Sequence, residues 1–131
     1  MAWTEPIKRR AEHSVTIEGV DPTAEGLLRI SVLLSAGPPS EWATHFDRGA
    51  GVHFKLSLHK PRVVGPVIDG RVEDDKLEEY VAVIDEMINA SNDYYMAEVL
   101  PAIEAAEKRV TDAAAAKAER LRSAQDRAND L

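Results

Sequence analysis

Hydrophobic and polar residues alternate in the first half of the chain, as they do in β-strands. Residues 14–19 place Val15 and Ile17 on one face, and residues 27–35 repeat the alternation over a longer run. Side chains of a strand point alternately to its two faces, so each run predicts a strand with one buried face. Because turn-forming proline and glycine lie between the runs, we expect the two strands to form a hairpin.

Two further runs predict strands at residues 52–58 and 62–68. A proline in the second run confines it to a sheet edge or a bulge, because proline cannot donate a ladder hydrogen bond. Between the strand pairs, residues 40–48 follow a Pro-Pro-Ser sequence that favours a helix start. Trp42 and Phe46 are four residues apart in this short helix, so they share a face that would dock on the sheet.

From Asp75 onward the pattern becomes helical. The chain from residue 75 to residue 131 has no glycine and one proline, and a continuous helix of that length would extend about 85 Å. Asp75 and Glu78 have the spacing of a capping box, which predicts the helix start. An apolar stripe with the width of a face that lies on a sheet indicates a core helix over residues 75–100. Its main positions are Leu77, Val81, Ile84 and Ile88.

Pro101 divides the helical half, since proline removes one intrahelical hydrogen bond and clashes with the preceding turn. We therefore expect a kink near Pro101. Residues 102–131 are rich in alanine and have a thin apolar stripe. Such a helix is marginal in water by itself, so it either packs on another chain or frays. The large apolar residues available for contact before the C-terminal Leu131 are Ile103, Val110 and Leu121.

These elements predict an α+β fold. It comprises a small antiparallel sheet of three to four strands, a short helix, and a long C-terminal helix that packs on the sheet, kinks near Pro101 and extends as an alanine-rich helix. The expected domain organisation is a core domain over residues 1–100 and a projecting helical extension over residues 102–131.

Charge and composition limit the classes of partner that the protein could bind. The chain has a net charge of −7, and residues 69–86 carry eight carboxylates against two basic residues, a local balance of −6. A surface of that sign repels a phosphate backbone, so nucleic acid is an unlikely partner. An acidic first helical turn that complements the helix dipole is the simpler interpretation of this run. No run of apolar residues is long enough to span a membrane, and no secretory signal is recognisable, so we expect a cytoplasmic protein.

No motif predicts catalysis, a metal site or a cofactor. The chain has no cysteine, which excludes disulfides and thiol chemistry. Its four histidines have no metal-ligand spacing, the glycines form no phosphate-binding motif, and no serine lies in a nucleophile motif. The histidines are His13, His45, His53 and His59. The sequence therefore does not favour an enzyme.

One polar interruption of the core helix invites a functional interpretation. Asn89, Asn92 and Tyr95 lie where the apolar stripe should continue. Polar groups on a buried face must find partners, either fixed groups of the N-terminal half or a small ligand. In the simpler alternative, Asn92 binds a sheet carbonyl and the tyrosine rings join the core.

Two function classes remain. The first is a non-enzymatic interaction or structural module that forms a homodimer, or binds another protein, through Ile103, Val110 and Leu121 of the C-terminal helix. Because large apolar residues are scarce after Val110, we expect a weak or short coiled-coil seam. The alternative is a small-ligand-binding protein or small enzyme with a site between sheet and helix at Asn89, Asn92 and Tyr95.

Overall fold

A computed structural model of the protein describes residues 5–20, 26–51 and 59–131. It confirms the α+β class: an antiparallel sheet, a short helix and a long helical segment. A 3-10 turn over Asp74–Lys76 precedes α2, and a π-helical turn over Tyr95–Val99 follows it. The strands and helices, in chain order, are β1 Val15–Val20, β2 Leu28–Leu33, α1 Ser40–Asp47, β3 Arg62–Val64, β4 Val67–Val72, α2 Leu77–Tyr94 and α3 Leu100–Asn129.

The four described strands form one sheet in the order β1-β2-β4-β3, with every neighbouring pair antiparallel. The predicted hairpin of β1 and β2 is confirmed. Val32 lies in the middle of the sheet, between Val15 of β1 and Ile68 of β4. The strand predicted at residues 52–58 lies outside the described residues.

The strand predicted at residues 62–68 is wrong as a single element, because the chain reverses within it. Gly65 has a φ of 60°, a left-handed value that glycine adopts most readily, and Pro66 follows it. These two residues join β3 to β4 as a tight hairpin. As a result β4 continues through Asp69 and Gly70, which pair with β2 in the interior of the sheet.

The core lies between one face of the sheet and the helices α1 and α2. Trp42 and Phe46 are both buried, as expected, and their rings stack with centroids 5.5 Å apart. Of the predicted stripe of α2, Ile84 and Ile88 are buried, whereas Leu77 and Val81 at its start are only half-buried. The fully or nearly fully buried side chains of β2, β4 and α2 include Ile30, Val32, Ile68, Val72, Tyr80, Ile84, Met87 and Ile88.

A glycine inside β4 lets one aromatic ring of α2 lie against the sheet. A Cβ atom at Gly70 would lie 2.6 Å from the hydroxyl oxygen of Tyr80 and 2.7 Å from Cε2 of its ring. The ring occupies the space that any larger side chain at position 70 would need. Glycine usually weakens a strand, but here the close packing of helix on sheet requires it.

Both ends of α2 differ from the sequence expectation. The predicted capping pair of Asp75 and Glu78 is not formed: Lys76 is the N-cap residue and makes no capping side-chain hydrogen bond. The α-helical hydrogen bonding ends at Tyr94, because the π-helical turn intervenes before Pro101. Proline at position 101 supplies no N–H to the turn before it, and a wider turn is one way in which a helix accommodates that loss.

The chain divides into two compact units, the first ending at Met96 and the second beginning at Ala97. The second unit contains α3, whose thirty residues are all described and none of which is buried. Its hydrogen bonds between side chains are local, for example Gln125 Nε2 to Asn129 Oδ1 at 2.9 Å.

Candidate functional site

The polar interruption of α2 contains a hydrogen-bonded asparagine that joins three segments of the first unit. Asn92 is 5% exposed. Its Oδ1 accepts hydrogen bonds from the backbone N–H of Ile7 at 3.0 Å and from Nε1 of Trp42 at 2.9 Å. Its Nδ2 donates to the carbonyl oxygen of Ile7 at 2.7 Å. The amide thus pairs with the backbone of Ile7 as a neighbouring strand would, and also satisfies the buried indole of α1.

This bridge explains why a polar residue interrupts the apolar face. An unpaired backbone group or indole N–H in the core costs about 1–3 kcal/mol, and Asn92 satisfies three such groups at once. Both oxygen lone pairs are occupied and one amide hydrogen is used. The simpler interpretation of Asn92 therefore holds in outline, although its partners are Ile7 and Trp42 rather than a carbonyl of the sheet.

The other two predicted ligand-binding residues differ from each other in exposure. Asn89 is exposed, whereas Tyr95 is only 3% exposed and lies in the first position of the π-helical turn. The geometry accounts for Asn92 without a ligand. Ligand binding by Asn89, Asn92 and Tyr95 stays a prediction.

An open recess of about 210 Å³ lies beside this cluster, between α1 and the end of α2. The imidazole of His45 stacks on the ring of Tyr94, with centroids 4.0 Å apart and planes 1° from parallel. Ser40 Oγ hydrogen-bonds to Glu41 at 3.3 Å. The recess offers polar groups on a short helix and one stacked aromatic pair. The contact between the Ser40 hydroxyl and the Glu41 carboxylate is exposed and long, so we regard the recess as a surface feature.

A second, wider groove lies along α2 near Arg9. The Arg9 guanidinium makes a two-pronged contact with Asp85, from Nε to Oδ1 at 2.6 Å and from Nη2 to Oδ2 at 3.0 Å. Its Nη1 also donates to Ser14 Oγ at 3.1 Å. The half-buried side chains of Leu77 and Val81 line the rest of the groove. The Arg9 contacts fasten the N-terminal segment to α2, which is a structural role.

Burial perturbs one titratable group in the core. Desolvation raises the pKa of the Tyr80 hydroxyl to about 12 from its usual 10.0; the nearby Asp69 carboxylate adds to the rise and the backbone N–H of Arg71 opposes it. The Arg71 N–H acts on the Tyr80 oxygen without meeting hydrogen-bonding geometry, and no other described residue hydrogen-bonds to that oxygen. A phenol that resists ionisation beneath a sheet is part of the packing and is not placed to exchange protons with a substrate.

The predicted interaction residues lie on a single exposed face of α3. At 3.6 residues per turn, the members of this face fall within about 60° of Val110 around the helix. We call this face the α3 stripe. Between residues 103 and 124 it comprises Ile103, Ala106, Glu107, Val110, Ala113, Ala114, Lys117, Leu121 and Ala124, with Glu107 and Ala113 at its two edges.

The α3 stripe is uncovered in the single chain. Val110 is 71% exposed and Leu121 is 62% exposed, while Ile103 is half-buried. A shallow hollow of about 520 Å³ lies over Ala106, Val110 and their neighbours. The free energy falls when large apolar side chains leave water, so these positions favour contact with another surface.

The described ranges, 5–20, 26–51 and 59–131, contain no cluster of three or more histidine, aspartate or glutamate residues that could hold a metal ion. No helix within them has the length and apolar character needed to cross a bilayer.

No known protein family, curated protein or solved structure matches this chain. The function is therefore argued from the geometry alone.

Sequence reasoning identified Asn92 but missed both of its partners. Ile7 lies 85 residues away and Trp42 lies 50 residues away. The only sequence signal was the polar residue on an apolar face, which indicates that some partner exists but not which one.

Proposed function

We propose that this protein is a non-enzymatic interaction module that binds another helix through the α3 stripe, with a second copy of the chain as the first candidate partner. The first unit serves as the folded body, and α3 is the binding element. The observation that supports this proposal is the exposure of Val110 and Leu121 on a thirty-residue helix that has no buried residue.

The composition of α3 suits a helical partner. The four alanines of the stripe allow a partner helix to approach closely, while Val110 and Leu121 supply the apolar area. Two charged residues lie on the stripe, Lys117 near its centre and Glu107 at one edge, so few charges lose their water on contact. Residues 104–131 contain six acidic and six basic residues, so two such helices meet without net repulsion.

Sedimentation velocity from low to high micromolar concentration tests self-association. We expect a concentration-dependent shift from monomer to dimer, with a rise in helicity by far-UV circular dichroism, because an isolated helix is marginal in water and contact stabilises it. The double variant V110K/L121K places two charges on the α3 stripe. It should weaken the dimer at least tenfold, since it removes two apolar contacts and buries charge.

The matched control is A105K/A115K, which adds the same two lysines on the opposite face of α3. This control should dimerise as the wild type does. A wild-type chain that stays monomeric at every concentration, with α3 fully helical and V110K/L121K indistinguishable from it, would contradict self-association.

A further inference from the structure

We infer that the partner of the α3 stripe is a second copy of the chain bound antiparallel, with Glu107 of each copy opposite Lys117 of the other. This inference rests on the proposed function and deepens it, because it names the partner, the direction of pairing and the register. It is argued from the order of side chains along an exposed helix and from their charges.

Two alternating sets of positions form the seam. Ile103, Val110 and Lys117 are spaced by seven residues, and so are Glu107, Ala114 and Leu121. Each set recurs once per heptad, and the two sets are offset by four residues, which is the spacing of the two core positions of a coiled coil. One lysine and one glutamate therefore occupy core positions in an otherwise apolar seam.

Reversing the direction of one helix places each member of one set opposite a member of the other. When Val110 of one copy faces Ala114 of the second, the same register places Ile103 opposite Leu121. Glu107 then lies opposite Lys117 of the second copy. The large residues at the two ends pair with each other, and valine pairs with alanine in the middle. Because the two copies are related by a two-fold axis, each of these residue pairs occurs twice in the dimer.

The same register also avoids charge repulsion and steric clashes at the positions that flank the seam. Arg120 faces Ala106 of the second copy, and Ala113 faces its own equivalent near the axis. Arg120 has room beside the small Ala106 side chain, and no basic side chain opposes it there. The small residues allow close approach of the two backbones, as at other helix contacts built on alanine.

A parallel, in-register pair is disfavoured by the same residues. It would place Glu107 against Glu107 and Lys117 against Lys117 in the seam. Like charges in facing positions destabilise a helix pair, and partial removal of water increases that cost. Charge complementarity therefore selects the antiparallel arrangement.

Charge reversal tests the register. The variants E107K and K117E each replace two attractive pairs per dimer by two repulsive pairs, so each should weaken the dimer about tenfold in sedimentation. The double variant E107K/K117E restores opposite charges in every pair and should return the dissociation constant to within a few fold of the wild type. The control E119K makes the same charge change as E107K on the far face of α3 and should have little effect.

Engineered cysteines test the direction, since the chain has none of its own. Residues 103 and 121 are 18 positions apart, or about 27 Å along a helix. A disulfide requires Cα atoms within roughly 7 Å. In the antiparallel dimer, I103C mixed with a differently tagged L121C should form mixed disulfides under mild oxidation, whereas either variant alone should not cross-link through α3.

The outcomes separate this inference from the proposed function. A dimer that V110K/L121K disrupts, but that shows no rescue in E107K/K117E and cross-links in L121C alone, overturns the antiparallel register and leaves the α3 stripe as the binding surface. A strictly monomeric wild type overturns both. Rescue together with mixed disulfides supports both.

Discussion

Asn92 connects three segments of the first unit through one side-chain amide. It binds the backbone of Ile7 in both directions and accepts the indole N–H of Trp42. We predict that Asn92→Ala lowers the free energy of unfolding by about 3 kcal/mol or more, because three buried polar groups lose their partner. Urea unfolding followed by tryptophan fluorescence measures this change.

The neighbouring Asn89 provides the control for that prediction. It is exposed on the same helix, so Asn89→Ala should change the free energy of unfolding by no more than about 0.5 kcal/mol. Equal effects of the two substitutions would mean that the Asn92 bridge does not contribute to stability.

The raised pKa of Tyr80 leads us to predict that the protein loses stability at high pH. Its pKa is about 12 in the folded protein and about 10 in the unfolded chain. Below pH 10 the phenol is neutral in both states and its contribution is fully present. As the pH rises from 10 to 12 the unfolded chain ionises first, so stability falls by at most roughly 3 kcal/mol.

The variant Tyr80→Phe isolates this effect from other groups that titrate in alkali. Its free energy of unfolding near neutral pH should stay within about 1 kcal/mol of the wild type, because the lost hydroxyl has no partner in hydrogen-bonding geometry among the described residues. Between pH 10 and 12 the difference between wild type and variant should shift in favour of the variant. Parallel curves across that range would show that Tyr80 ionises as easily when folded as when unfolded.

At the scale of single residues, the sequence shows that a buried polar group needs a hydrogen-bond partner, but not which residue that partner is. The position of Asn92 on the apolar face of α2 predicted that its side-chain amide has a hydrogen-bond partner. Periodicity is a local property, whereas Ile7 and Trp42 reach Asn92 only through the tertiary fold. The close contact of Gly70 with Tyr80 has the same origin, because a glycine in a strand does not reveal which ring lies over it.

At the scale of elements, the strong periodic signals were reliable and the boundaries were not. The β1–β2 hairpin and α1 follow from alternation and from Trp42 and Phe46 sharing a face. The β3–β4 hairpin was missed because its turn is only Gly65 and Pro66 within a run of valines. A proline in such a run fits both an edge strand and a tight turn, and only the pairing partners distinguish them.

The contacts of α2 lead to a prediction about the removal of α3. The Ile7, Arg9 and Trp42 contacts of α2 all reach residues before the π-helical turn. We therefore expect a chain truncated after Leu100 to remain folded, with a melting temperature within a few degrees of the full-length value. Near-UV circular dichroism and thermal unfolding measure this. Loss of the cooperative transition would mean that α3 is part of the core.

For the whole molecule, the net charge and the α3 stripe lie in different parts of the chain. The net charge of −7 lies entirely before residue 104, since the acidic and basic residues from 104 onward are equal in number. The acidic part keeps the folded bodies of two molecules apart, and the neutral helix can still approach a partner. The sequence identified the residues of the α3 stripe, but the partner that we propose for them is not specified by the pattern of one chain.

The hydrogen bonds between Ile7 and Asn92 also set an order of events during synthesis. The sheet residues leave the ribosome first, but the amide that connects the N-terminal segment to Trp42 leaves only with α2. At typical translation rates of about 5–20 residues per second, α3 follows within several seconds. The core can therefore close while α3 is still being delivered, and a stripe that pairs as we propose would then join folded subunits rather than open sheets.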